Sequence, residues 1–312
     1  MPDHSDDDRT ASLMTPARLA QLKVRPTPAA SPAAWLDQMA ADAGSGHIRR
    51  LLELRQQLEA QMRDRDVRAI ATACHALYEA VDKLDFALLA PKGWFARAAG
   101  KGKEAAATYL AQHERVSRAA EDLADEARGL QRKQQAQATA TERLLMEFGV
   151  EIRALEKIMD QGARWLQDMR NQLKTRQAQG GDAALQQQIR QDTARCEVLV
   201  GRLKQLRAAN SAAQDAAERS QDAASRRASL VENMQQLLDK EWQGSRQSLD
   251  ALAEQATATG SATEGVDRGR RAQQDLRSAL QQAGQDCSTL QSQEQAATDV
   301  LAGLQVPLQA AA

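Results

Sequence analysis

Four histidines, three cysteines and a recurring set of glutamates are the side chains here whose types could do chemistry, and their spacing decides what they can do. His4, His47, His75 and His113 are scattered, and none has a Cys or His neighbour at metal-ligand spacing. His75 follows Cys74 directly. Adjacent residues on a helix point to different faces, which argues against a thiol–imidazole nucleophile. Cys74, Cys196 and Cys287 are odd in number, far apart and without a CxxC motif. They read as buried thiols in a reducing compartment. Glu142, Glu147, Glu151 and Glu156 recur along one helical stretch. Acids so placed can line a di-metal bundle, but that class needs Glu-x-x-His pairs on facing helices, and the chain has none. Solvated acids are the expectation. The sequence therefore predicts no catalytic residue, no metal ligand and no cofactor, and a protein that is not an enzyme.

One short stretch has a different character. PKGWFARAAGKGK, residues 91–103, holds Lys92, Arg97, Lys101 and Lys103 with no acid, and Trp94 and Phe95 side by side. Basic residues with adjacent aromatics suit a partner surface or the rim of a membrane. The plainer alternative is a connector whose two aromatic rings plug the open end of a bundle. GKGK is no phosphate-binding loop, because the GxxxxGK[ST] pattern is missing and no strand precedes it.

The elements that would carry these groups are helices. Residues 1–30 are rich in proline, small and charged residues and read as a disordered tail. Residues 31–90 read as three short helices. Ser31-Pro32 opens the first, Gly44–Gly46 separates it from the second, Asp66 caps the third and Pro91 stops it. After the connector at 91–102, an apolar ladder with steps of three and four runs through Leu145, Phe148, Ile152, Leu155, Met159, Gly162, Leu166, Met169 and Leu173. A second ladder runs from Leu185 to Leu238, with Asp192 and Asn210 as register-setting polar positions. Gly180-Gly181 lies between them. Residues 103–257 are thus expected to form a long antiparallel helical hairpin turning at Gly180 and Gly181, each arm on the order of 110 Å.

In such a hairpin residue i faces roughly residue 361 − i. The polar stretch Gln131–Thr141 then meets Ser220–Leu230, predicting a weak waist able to flex or host a partner. Phe148 meets Ala213, and Trp165 lies near Cys196. Residues 264–304 form a last helix with Leu276, Leu280, Cys287, Leu290, Ala297 and Leu301 on its seam, packing on a multi-helix base. Residues 305–312 read as a frayed tail. The expected class is all-α: an elongated antiparallel coiled-coil hairpin with a multi-helix base.

Bulk numbers agree. Of 312 residues only four are Trp, three Phe and two Tyr, so the chain buries a thin seam rather than a thick core. With 41 basic and 42 acidic residues the net charge is −1, which gives no general drive towards nucleic acid. The acidic start MPDHSDDDRT lacks the apolar core of a secretory leader. The expectation is a cytoplasmic protein that could touch the inner membrane peripherally, with protein partners that include further copies of itself.

Over residues 91–173 the pattern resembles the TelA/KlaA-like toxic-anion (tellurite) resistance family. The residues that carry the resemblance are Pro91, Gly93, Lys101 and Lys103, then Tyr109, Val116, Leu123, Leu130, Glu142, Leu145, Leu155 and Leu166. The second arm departs from the family, with Ala/Gln/Arg sequence such as AERSQDAASRRASLVENMQQLL where an Asn- and Thr-rich stretch is expected. The resemblance implies a helical, cytoplasmic, non-enzymatic protein in resistance to tellurite or related envelope stress. Read from the residues alone, a coiled-coil scaffold or adaptor of an envelope, secretion or defence complex is the alternative.

Overall fold

A computed structural model describes residues 42–63, 65–90, 101–262 and 264–312. The described residues are almost entirely helical, with no strand among them, so the fold is all-α. In chain order the helices are α1 (Ser45–Arg63), α2 (Arg68–Asp82), a 3-10 turn (Phe86–Leu89), α3 (Lys101–Gln179), α4 (Ala183–Gln236), a π segment (Leu237–Trp242), α5 (Gln243–Thr259), α6 (Val266–Gly303) and α7 (Gln305–Ala310). The fold divides into two compact units, one made by Asp160–Lys204 with the chain up to Ala43, the other by Gly44–Met159 with Gln205–Ala312.

In the first unit the end of α3 and the start of α4 pack against each other. Leu166, Met169 and Leu173 follow three-four spacing and are buried with Ile189, Cys196 and Leu199. Trp165 joins this cluster, as does Leu203, whose methyls come within 3.1 Å of where a Cβ on Gly162 would lie. The turn is built by its sequence. Gly180 adopts φ +65°, which glycine takes without penalty. Asp182 then caps α4, its Oδ1 accepting from Leu185 N at 2.9 Å. Asp192, expected as a register residue, accepts from Arg176 at 3.0 Å and from Arg195 at 3.3 Å.

The second unit holds the larger core. Ile70, Cys74, Leu77 and Val81 of α2, Tyr109, Val116 and Leu123 of α3, Leu230 and Met234 of α4, Leu249 and Leu252 of α5, and Leu276, Leu280, Cys287 and Leu290 of α6 share one buried cluster. Burying a Leu or Ile side chain contributes about 1.5–3 kcal/mol, so this cluster dominates the stability of the unit. Polar links lock α2 to α6: Arg277 pairs with Asp82 at 2.8 Å, and Gln273 Nε2 donates to Val81 O and Leu84 O at 2.7 and 3.2 Å. Phe148 and Ala213, expected to face each other, are both fully buried.

Three features differ from the expectation. The second ladder is not one uninterrupted α-helix, since a π turn interrupts it at Leu237–Trp242. The step from buried Leu237 to half-buried Trp242 spans one residue more than an α-turn allows, which re-aims the helix for the packing of Leu249 and Leu252. Asp66 does not cap α2 by the usual geometry. Val67 is the cap residue, and Asp66 Oδ1 accepts from Arg68 N at 2.8 Å. Finally, residues 305–312 are not frayed. α7 folds back with Leu304, Leu308 and Ala311 buried, because its three apolar side chains fall on one face that α1 and α6 cover. The expected tail and first helix, at 1–30 and 31–41, lie outside the described residues.

Candidate functional site

The residues singled out from sequence do not converge. Lys92, Trp94, Phe95 and Arg97 lie outside the described residues. Lys101 opens α3 and Lys103 is exposed one turn of backbone later. Gly180 and Gly181 form the α3–α4 turn and, with Arg176, Leu185, Ile189 and Arg190, line a shallow cavity of about 250 Å³.

The titratable groups are mostly occupied in structural pairs. His47 Nδ1 and Glu151 Oε2 are 2.6 Å apart, joining α1 to α3. Arg50 donates to Glu147 at 2.5 Å across the same contact. His113 Nε2 meets Asp250 Oδ1 at 2.9 Å, and Glu156 accepts from Gln214 at 2.6 Å. Cys74 is buried while His75 is exposed, in line with their opposite faces. Cys74 and Cys287 lie in contact in the core as free thiols, held protonated by their mutual hydrogen bond and by burial. Among the described residues no group of three or more His, Cys, Asp or Glu side chains is placed to hold a metal ion.

The arrangement that stands out lies where the two polar stretches of α3 and α4 were expected to meet. Ala213, Ala216, Ser220 and Ala223 are buried in the middle of α4, and their small side chains leave space between helices. Long polar side chains fill it. Arg227 donates through Nε and Nη2 to both carboxylate oxygens of Glu294 on α6, at 2.7 and 3.0 Å. Both residues are buried, at 2 % and 6 % exposure. Arg65, just after α1, is 9 % exposed, and its Nη2 donates to Thr141 Oγ1 at 2.6 Å. Thr141 in turn donates to Gln61 Oε1 at 2.8 Å. Arg65 Nε is buried with no hydrogen-bond partner, as is Gln293 Oε1.

Charge in this layer does not balance. Arg65 and Arg227 carry two positive charges against the single carboxylate of Glu294, and among the described residues Arg65 forms no ion pair. Burial, and after it the like charge of Arg227, depress the Arg65 pKa, while Glu294 opposes them in part. Guanidinium groups keep their proton even so. Beside Arg65 the structure opens into a cavity of about 160 Å³, walled by Gln134, Ala138, Thr141, Glu142 and Leu145 of α3 and by Gln221, Ala224, Ser225 and Ala228 of α4. The layer has no group poised to shuttle a proton or attack a substrate. Its chemistry is that of a preformed cationic receptor.

The sequence reading expected a soft waist here and missed the charges that fill it. Two signals were available. Arg227 sits on the apolar ladder of α4, and Glu294 occupies the position that the α6 seam skips between Leu290 and Ala297. A charged residue at a seam position on each of two helices is the mark of a buried pair.

Comparison of the chain with protein-family models, with curated proteins and with solved structures returned no match.

Proposed function

We propose that this chain is a non-enzymatic helical protein that acts through protein–protein contacts, in resistance to tellurite or related toxic-anion and envelope stress. The observation that carries the contact-mediated part is the outward face of α3. This helix of 79 residues buries one seam, yet leaves Met146 and Val150 at 66 % and 53 % exposure, one turn apart. Large apolar side chains adjacent on a helix surface suit the helix-in-groove mode of protein recognition. The biological setting rests on the resemblance of residues 91–173 to the TelA/KlaA-like family. A cytoplasmic location, with peripheral contact at the inner membrane through Trp94 and Phe95, belongs to the same proposal. In keeping with it, no described helix is long and apolar enough to cross a membrane.

Deleting the gene and challenging the cells with tellurite tests the setting. The proposal expects a lowered tolerance that the intact gene restores. Unchanged tolerance removes the family-based role and leaves the scaffold or adaptor reading, which the α3 surface supports equally.

A further inference from the structure

We infer that the cavity beside Arg65 is a binding site for a small carboxylate: a monoanion with a short apolar chain. The inference is independent of the contact-mediated role proposed above. It starts from a buried cation without a counter-charge. Arg65 is nine-tenths buried, its guanidinium donates one hydrogen bond to a neutral hydroxyl, and Nε has no partner. A buried donor left unpaired is costly, more so when charged, and native interiors rarely tolerate it unless something supplies the acceptor. The one carboxylate in the layer, Glu294, is taken by both prongs of Arg227.

The cavity wall selects among anions. Its volume of about 160 Å³ is far more than one water needs. Ala138, Leu145, Ala224 and Ala228 give it an apolar side, while Thr141, Ser225, Gln134 and Gln221 give it hydroxyls and amides. An apolar side suits a short hydrocarbon tail and wastes the hydration of a naked phosphate. Glu142 also stands in the wall, and its negative charge weighs twice as heavily against a dianion as against a monoanion. Guanidinium matches the planar carboxylate with parallel N–H donors. Arg65 Nε–H then gains the acceptor it lacks, and the layer reaches charge balance.

The test is thermal unfolding of the full chain, followed by circular dichroism, with sodium butyrate titrated against sodium chloride at matched ionic strength. Ligand binding to the folded state alone raises Tm in a saturable way, and a rise of several degrees is expected at saturation. Sodium phosphate at the same ionic strength should give no saturable rise. Arg65→Met should abolish the butyrate effect. Glu142→Gln, at an exposed position, should lower the half-saturating butyrate concentration by about threefold by removing the like charge. The inference is overturned by a wild-type Tm that does not respond, by phosphate acting as well as butyrate, or by a response that survives Arg65→Met. Should Arg65→Met fail to fold, Glu142→Gln decides alone, and a half-saturation that stays the same or rises overturns it.

Discussion

Arg227 and Glu294 form a two-pronged salt bridge inside the second unit, joining α4 to α6 with both side chains less than a tenth exposed. Charges so placed gain from each other about what they lose in desolvation, so the pair adds little net stability. Breaking it is another matter. Glu294→Gln leaves a buried, unpaired guanidinium and should destabilise by about 3–5 kcal/mol in urea unfolding. Arg227→Met with Glu294→Leu should recover most of that loss. A double variant as unstable as the single one would mean that the pair carries stability by itself.

Tyr109 makes a second prediction. Its ring is fully buried, 5.9 Å from that of Phe86, and its hydroxyl has no hydrogen-bond partner. Removing an unsatisfied buried hydroxyl should help, so Tyr109→Phe is expected to stabilise by about 1 kcal/mol. Burial, reinforced by the charge of Asp250, pushes the phenol above its ordinary range. The unfolded chain therefore releases this proton first, and stability falls as pH rises past about 10. The Cys196 thiol, raised by burial and by Asp192, starts the decline lower, from about pH 8.5. Tyr109→Phe should flatten the part of the curve above pH 10 and leave the thiol part unchanged. Urea midpoints from pH 7 to 11 would show this, and an identical curve for both proteins would refute it.

Two glycines within helices should respond in opposite directions to alanine. A Cβ on Gly269 would meet Leu252 Cδ1 at 2.5 Å and Phe86 Cε1 at 2.9 Å, where α6 presses on its neighbours. Gly269→Ala should cost about 1–3 kcal/mol despite the better helix propensity. Gly129 in α3 has nothing within 4 Å of that position, and Gly129→Ala should gain about 0.5–1 kcal/mol. Chemical unfolding of the two variants side by side checks the sign.

These cases show which levels of the structure could be read from sequence. The all-α class and the start of the last helix at Val266 follow from ladder spacing and glycine placement, which are local signals. The Arg227–Glu294 pair joins residues 67 positions apart, and only the packing of α4 on α6 reveals that their two seams meet. The π turn at Leu237–Trp242 corrects a register mismatch between long helices, a property of the assembled bundle that no window of sequence contains. The chain end misled for a different reason. Its alanines and Pro307 suggested fraying, while Leu304, Leu308 and Ala311 together supply a face worth burying.

That end gives the fourth prediction. Leu308 is fully buried, so Leu308→Ala should destabilise by about 2–3 kcal/mol. Hydrogen exchange should show protection through α7 and into the last turns of α6. Exchange as fast as in an unfolded peptide would restore the frayed-tail expectation.

The central claim, that the chain works by presenting the outer face of α3 to a protein partner in tolerance of toxic anions, is tested most directly by complementation. Cells lacking the gene would receive either the wild-type gene or one encoding Met146→Glu with Val150→Glu, and their growth on tellurite would be compared after circular dichroism confirms that the variant folds. Both positions are exposed, so the fold should tolerate the charges. The account predicts that wild type restores tolerance and the charged variant does not. Equal restoration by both would contradict the proposed surface, and equal tolerance with no gene at all would contradict the proposed role.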